Sequence, residues 1–108
     1  MIYVDDAGIQ ATVADGKRHY NARWSHLFCD GDLDELHAFA ASIGMQRRWF
    51  QDWPEHRYPH YDLVAWRRLS AIEAGAVAVP WRQSPEILRK AFPVEQYRAL
   101  KAAANVSR

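Results

Sequence analysis

His60 and Asp62 place an imidazole and a carboxylate two positions apart in the chain. In extended backbone, residues i and i+2 project to the same side, so both side chains can reach one ligand. Together with His26 and one of Asp5 or Asp6, these side chains would make a set of ligands suited to Mn²⁺, Mg²⁺ or Zn²⁺. A divalent ion held in this way would polarise a phosphoryl oxygen or lower the pKa of a bound water, the usual basis of metal-assisted phosphoester hydrolysis.

A mechanism without a metal uses the same region differently. His60 would act as a general acid or base oriented by a neighbouring carboxylate, while Arg82 and Arg48 bind an anionic substrate beside Tyr61. The sequence contains no His-Glu-x-x-His zinc motif, no nucleophile elbow and no glycine-rich phosphate loop. Both mechanisms therefore stay open at the level of sequence.

Structural roles would also explain several of these residues. Asp32 and Asp62 both stand where helix N-caps are expected, and capping alone stabilises a helix by about 1 kcal/mol. His26 lies between two aromatic residues on one face of a strand pattern, as expected of a hydrogen-bonded core histidine. Asp5 and Asp6 are adjacent carboxylates that repel each other, so we expect a cation or an arginine beside one of them.

The elements that must position these residues alternate between strand and helix patterns. Short β-branched and aromatic runs predict strands at 2–4, 23–29, 48–51 and 76–79, with two helices between the later strands. Helical crossovers favour parallel pairing, so we predict an α/β fold with a small, mostly parallel sheet of about four strands and flanking helices. A mixed sheet results if the first strand is antiparallel, and Asp5 and Asp6 then move away from the shared edge.

Capping signals bound the two internal helices. Asp32 with Glu35 three residues later forms a capping-box pattern, and Gly44 is placed to end that helix. Asp62 is the expected cap of a second helix that ends at Gly75. The side chains expected to face inward from this second helix are Leu63, Trp66, Leu69 and Ile72.

The remaining segments are predicted loops and terminal helices. Residues 9–18 are polar and turn-rich, with room for a hairpin arm at 10–13 and a turn at 15–18, and residues 52–59 form a proline-containing loop. Ser84 followed by Pro85 starts a helix that Pro93 breaks before another begins. We expect residues 84–108 to pack as a helical appendage on a core of residues 1–83.

Composition limits the class of protein. A chain of 108 residues with 49% hydrophobic residues predicts one folded domain. The formal charge of +1 excludes a global field that would attract nucleic acid or a membrane surface. A single cysteine, Cys29, excludes an internal disulfide and a multi-cysteine zinc site and fits a reducing compartment. With no signal-like or membrane-spanning segment visible, we expect a cytoplasmic protein that does not associate with membranes.

An ordered set of short motifs resembles a small domain-of-unknown-function family, number 4031, found in bacteria and their phages. The resemblance covers residues 1–83 and implies a shared fold and shared polar positions, but no activity or substrate. The occurrence in phages implies a function connected with nucleotides or nucleic acids. The motifs are Ile2-Tyr3-Val4-Asp5-Asp6, Trp24-Ser25-His26-Leu27 with Asp30, Glu35-Leu36-His37, Arg48-Trp49-Phe50-Gln51, His60-Tyr61-Asp62-Leu63, and Gly75-Ala76-Val77 before Trp81-Arg82.

A binding module without catalysis is the alternative function. Arginines interleave with aromatic residues at 47–50, 57–58 and 66–68, as on surfaces that stack bases and contact phosphates. We expect most of these aromatic residues to fill the core instead, with Trp53 in its loop as the exception.

The favoured interpretation is a small phosphoester- or nucleotide-directed hydrolase assisted by a divalent cation, which acts on a phosphorylated small molecule or nucleic acid. The predicted catalytic residues are His60, Asp62 and His26; the predicted substrate-binding residues are Arg82, Arg48 and Tyr61; and the predicted metal ligands are Asp5, Asp6, His60 and Asp62.

Overall fold

The computed structural model describes residues 1–15 and 18–106. Over these residues the chain forms five strands and four α-helices, together with 3-10 turns at Arg47–Trp49 and Trp81–Gln83. The strands are β1 (Ile2–Val4), β2 (Ile9–Asp15), β3 (Arg18–Cys29), β4 (Tyr61–Val64) and β5 (Val77–Ala78). The helices are α1 (Leu33–Ser42), α2 (Ala65–Glu73), α3 (Ser84–Ala91) and α4 (Val94–Val106).

The long strand β3 is the centre of the sheet. Along one of its edges lie β2 and then β1, both antiparallel to it, and β4 lies antiparallel along the other edge. Leu27 accordingly pairs with Val4 on one side and Tyr61 on the other. Strand β5 adds to the far side of β1 and runs parallel to it.

The α/β class is confirmed, but the prediction of a mostly parallel sheet is wrong. Among the described strands, β1 and β5 form the one parallel pair, so the sheet is mixed and mainly antiparallel. The reason is that the connection from β3 through α1 and residues 43–60 ends where it began. Strand β4 starts with Tyr61 opposite Leu27, near the end of β3 where the chain left the sheet.

Strand β2 occupies most of the segment that was predicted to be a loop. Its register with β3 runs from Ile9 opposite Trp24 to Asp15 opposite Arg18. The predicted hairpin arm at 10–13 is therefore present and extends beyond those bounds. Gly16 and Lys17 of the predicted turn lie outside the described residues, as do Ser107 and Arg108 at the C-terminus.

Helix α1 forms where the capping signals predict it. The Asp32 carboxylate accepts a hydrogen bond from the Glu35 backbone N–H at 3.1 Å. Gly44, with φ of 84°, adopts the left-handed conformation just after the helix, where glycine carries no Cβ penalty. Leu36 and Ala40 are buried against the sheet.

The second helix begins later than predicted. Asp62 lies within β4, and α2 starts at Ala65 without a side-chain cap. Tyr61 and Leu63 alternate with Asp62 as buried residues, a period of two that specifies a strand. Of the side chains expected to face inward from this helix, Trp66 and Leu69 are instead 54% and 60% exposed. The buried residue of α2 is Ala71, which was not among those predicted. The strand frees the Asp62 carboxylate from a capping role.

Two further strand predictions change. The aromatic run at 48–51 forms a 3-10 turn, and only Gln51 pairs in the manner of a strand, through an isolated antiparallel bridge with His60. Strand β5 is present but lies at the sheet edge, with Val77 39% exposed rather than buried. A strand of two residues at an edge has too little neighbouring structure to cover its faces.

The C-terminal helices pack on the same core. Phe92 lies between α3 and α4 and is buried. Pro93 follows it, and α4 begins at the next residue. Tyr97 and Lys101 of α4 donate hydrogen bonds to the Asp52 carboxylate at 2.6–2.8 Å. In the described part of the chain, none of the helices combines the length and the apolarity needed to cross a bilayer.

Candidate functional site

Asp5 lies directly opposite His26 where β1 runs past β3. The Asp5 backbone N–H donates to the His26 carbonyl at 3.1 Å, and the His26 N–H donates to Asp5 Oδ1 at 3.0 Å. Asp5 Oδ2 also accepts from His26 Nδ1 at 2.7 Å. The expectation that an antiparallel first strand would remove Asp5 from the site is wrong, because His26 is within β3 and not at its end.

The Asp5 carboxylate is buried and fully engaged. Besides His26, it accepts hydrogen bonds from the Ala7 backbone N–H at 3.1 Å and from Ser84 Oγ at 3.1 Å. Its own backbone carbonyl accepts from Arg68 Nε at 2.8 Å. Because these hydrogen bonds occupy the Asp5 carboxylate, its main effect on the site is to hold and polarise the His26 ring.

The protonation equilibria of this pair move in opposite directions. The hydrogen bond with Asp5 raises the pKa of His26, against desolvation by burial, and the Asp5 and Asp62 charges add to the rise. Desolvation by burial would raise the pKa of Asp5, but hydrogen bonds from the His26 ring and backbone outweigh it and lower that pKa. Asp5 is therefore ionised at neutral pH, and His26 Nδ1 is the donor in their hydrogen bond.

Asp62 faces the other ring nitrogen of His26 from strand β4. Its Oδ1 is 3.9 Å from His26 Nε2 and 3.3 Å from His60 Nε2. Its Oδ2 accepts a hydrogen bond from Gln51 Nε2 at 2.5 Å. Burial alone would raise the pKa of Asp62, yet the hydrogen bonds from His60 and Gln51 and the nearby imidazole charges lower it.

His60 is oriented in the same way as His26. Its Nδ1 is 2.8 Å from the backbone carbonyl of Tyr58, and because a carbonyl only accepts, that nitrogen carries the proton. In the neutral ring, Nε2 then has a lone pair that faces Asp62, whereas in the protonated ring the same nitrogen donates to the Asp62 carboxylate. His26, His60 and Asp62 form a triad in which one ligand atom from each residue lies within 4.8 Å of the other two. This spacing would allow the triad to hold a divalent ion.

Two imidazoles and one carboxylate are a known donor set for Zn²⁺, Mn²⁺ and Fe²⁺, and three protein ligands leave coordination positions for water or substrate. The partners of the two Nδ1 atoms match the outer interactions that orient metal-binding histidines. Asp5, predicted as a ligand, instead takes this orienting role.

A cavity of about 460 Å³ opens beside His26 and His60 of the triad. The loop that follows residue 52 and the start of α3 form its walls. Its lining residues are Asp5, Ala7, His26, His56, Arg57, Tyr58, His60, Trp81, Ser84, Pro85 and Leu88.

Four of the predicted site residues lie elsewhere. Asp6 is exposed and accepts a hydrogen bond from the Trp81 backbone N–H at 2.7 Å. Arg82 is exposed, with its guanidinium 5.7 Å from the Trp81 ring centroid, and Arg48 is exposed near the 3-10 turn. Tyr61 is buried on the opposite face of the sheet, where its hydroxyl is 2.7 Å from His37 Nδ1.

The structure adds residues that the sequence reasoning did not select. Gln51 fixes the Asp62 carboxylate, and Ser84 contacts Asp5 although its position indicated only a helix cap. Arg57, Tyr58 and Trp81 line the cavity. The Arg57-Tyr58 pair was visible as an arginine beside an aromatic residue, but nothing in the local sequence placed it beside His60.

Comparison with known proteins gives one match. No curated protein and no solved structure matches the chain significantly. The family model for a protein of unknown function, DUF4031, matches residues 2–91, which span the sheet, the triad and helix α3 with Ser84. This match covers most of the chain and confirms the resemblance seen in the motifs. The chain therefore belongs to the DUF4031 family.

Proposed function

We propose that this protein is a divalent-metal-assisted hydrolase of small phosphoesters, with His26, His60 and Asp62 as the metal ligands. One observation carries the proposal: two histidines with Nδ1 held by acceptors direct their Nε2 atoms towards the same carboxylate. When both rings are neutral, these lone pairs face a carboxylate oxygen and repel it unless a cation lies between them. A proton can fill that role for one histidine, whereas a divalent ion serves both.

The surrounding residues support a catalytic site over a closed structural one. The three triad side chains are only partly buried, and His26 and His60 line a cavity large enough for a small molecule. Asp5 and Gln51 orient the triad without occupying it. A site of three protein ligands next to open space is typical of catalytic rather than structural metal centres.

The residues have separate roles in the proposed reaction. A divalent ion in the triad would polarise a phosphoryl oxygen and lower the pKa of a water molecule. Asp5 holds His26 as the Nδ1–H tautomer, the Tyr58 carbonyl does the same for His60, and Gln51 fixes Asp62. Arg57 at the cavity binds the negative charge of the phosphoester.

The decisive experiment measures metal binding before activity. Chelator-stripped protein is titrated calorimetrically with Mn²⁺, Mg²⁺ and Zn²⁺, together with His60→Ala, Asp62→Asn and a control, His37→Gln, whose histidine lies beside Tyr61 on the other face of the sheet. We expect one site in the wild type and the control, and none in the two triad variants. Hydrolysis of p-nitrophenyl phosphate and its diester is then measured with the metal that binds.

The result that contradicts the proposal is equally specific. Binding of no metal by correctly folded wild-type protein would remove the triad as a metal site. Metal binding without hydrolysis of either ester would leave a metal site but overturn the phosphoesterase.

A nucleic-acid-binding surface is the second candidate, favoured by one exposed cluster. Trp66 is 54% exposed, and the Arg67 guanidinium lies 4.3 Å from its ring centroid and 5.2 Å from that of Trp49. Exposed indoles beside cations can stack bases and contact phosphates. We expect single-stranded oligonucleotide binding to fall steeply with salt and with Trp66→Ala if this surface is used; equal binding by the variant would contradict it.

A further inference from the structure

We propose that the substrate of this site is a nucleoside monophosphate, with its base against Trp81 and Tyr58 and its phosphate between Arg57 and the triad. This inference rests on the proposed function for the role of the triad. The recognition of the base, however, depends on a different part of the cavity and can be tested without a metal.

The cavity lining has two chemically distinct parts. His26, His60 and Asp5 supply ionisable groups. Tyr58, Trp81, Pro85 and Leu88 supply apolar and aromatic surface, called the aromatic side. A ligand that matches both parts needs a compact anionic group joined to a flat, mostly apolar one.

Trp81 has a held backbone and a half-exposed side chain. Its backbone N–H donates to Asp6 Oδ1 at 2.7 Å, and the guanidinium of Arg82 lies 5.7 Å from its ring centroid. The residue remains 51% exposed at the cavity. A large, half-exposed indole at the wall of a cavity provides a surface on which a base can stack.

Arg57 supplies the anion-binding group that the sequence assigned to Arg82. It lines the cavity and is exposed, with its guanidinium 5.6 Å from the ring centroid of Tyr58. This contact places the guanidinium beside Tyr58, whose backbone carbonyl accepts from His60 Nδ1 of the triad. A planar guanidinium binds phosphate oxygens through two parallel hydrogen bonds.

The size of the cavity and the charge of the chain favour one nucleotide over a strand. A volume of about 460 Å³ lies in the range of small-molecule sites. The formal charge of +1 provides no broad basic field for a polyanion. A simple sugar phosphate would use Arg57 and the triad but leave the aromatic side unfilled.

The test compares adenosine monophosphate, ribose 5-phosphate, inorganic phosphate and a short single-stranded oligonucleotide by calorimetry, in chelator and with the metal that binds. We expect adenosine monophosphate to bind at least tenfold more tightly than ribose 5-phosphate under both conditions, since stacking of one base contributes about that much. Trp81→Ala should remove this preference. Leu69→Ala is the control, an exposed apolar side chain outside the cavity, and it should leave the preference unchanged.

Each outcome separates this inference from the proposed function. Equal binding of adenosine monophosphate and ribose 5-phosphate by protein that binds a metal would overturn the nucleotide assignment and leave the phosphoesterase standing. A preference for adenosine monophosphate in protein that binds no metal would support the nucleotide assignment and overturn the metal-assisted phosphoesterase. Tighter binding of the oligonucleotide than of the mononucleotide would overturn the assignment to a single nucleotide. Arg57→Ala should weaken both sugar phosphates alike, and an unchanged affinity for both would remove Arg57 from the site.

Discussion

Asp5 and His26 are joined by three hydrogen bonds. The Asp5 N–H donates to the His26 carbonyl, the His26 N–H donates to Asp5 Oδ1, and His26 Nδ1 donates to Asp5 Oδ2 at 2.7 Å. The two bonds to the His26 backbone hold the residues opposite each other, and any rotation of the imidazole would break its bond to Asp5 Oδ2. This rigidity fixes the direction of His26 Nε2, which is the atom that faces Asp62.

The first prediction concerns Asp5→Asn. The amide keeps the size of the side chain but loses the charge and one acceptor, so His26 is held less firmly and is a weaker base. Removing an orienting carboxylate of this kind typically lowers metal affinity by about 10- to 100-fold. Calorimetric titration with the metal that binds to the wild type measures the change. Unchanged affinity in a folded Asp5→Asn variant would show that the pair has no part in metal binding.

Ser84→Ala tests the buried partner of Asp5. The substitution removes the hydroxyl that donates to Asp5 Oδ2 at 3.1 Å while leaving the helix backbone intact. A hydrogen bond to a charged acceptor typically contributes about 1.5–3 kcal/mol, so we expect the free energy of unfolding to fall by about that amount. Urea denaturation provides the measurement. Ser70→Ala, whose hydroxyl donates to the Trp66 carbonyl within α2, is the control and should lose less.

A pair of leucines tests the position of the core. Leu36 is on the buried face of α1 and is fully buried. Leu36→Ala should therefore lower the free energy of unfolding by about 2–5 kcal/mol. Leu69 is 60% exposed on α2, and Leu69→Ala should change it by less than about 0.5 kcal/mol. Thermal and urea unfolding of both variants would reveal the difference. A large loss at Leu69 would mean that α2 buries the face predicted from the sequence.

Tyr97 links the stability of the C-terminal helix to pH. Desolvation by burial and the hydrogen bonds to Asp52 raise the pKa of Tyr97 well above its ordinary value of 10.0. In alkaline solution the unfolded chain releases this proton before the folded protein does. The contribution of Tyr97 is therefore fully present below about pH 10 and is lost as the pH rises further.

Tyr97→Phe is the corresponding variant. We expect it to lower the free energy of unfolding by about 1–2 kcal/mol at pH 8, and the gap from the wild type should narrow as the pH rises above 10. Unfolding curves of both proteins at a series of pH values test the trend. A gap that widens with alkaline pH would contradict the raised pKa.

The sequence was sufficient for the parts of the fold that local chemistry determines. Helix α1 begins with the predicted Asp32 cap and is followed by Gly44 in the predicted left-handed conformation, since both features depend on a few adjacent residues. Strand direction depends on where a long connection returns. The path of residues 43–60 carries β4 back beside the end of β3, and no local pattern indicates that return.

The same distinction holds for the site. His26, His60 and Asp62 were predicted as site residues and do lie together. The proximity of His60 and Asp62 requires only an extended backbone, whereas His26 reaches them because it pairs with Asp62 across β3 and β4. The separate roles of Asp5 and Asp6 could not be predicted, since they depend on which neighbours face each side of β1. Arg57 and Trp81 reach the cavity from segments whose approach to one another is set by tertiary packing.

Asp5 and Asp6 divide their contacts between two residues that line the cavity. Asp5 holds the His26 ring, and Asp6 holds the backbone of Trp81. A single peptide unit therefore connects these two contacts. A residue inserted between the two aspartates would shift the backbone of Trp81 relative to His26 while leaving both side chains chemically unchanged.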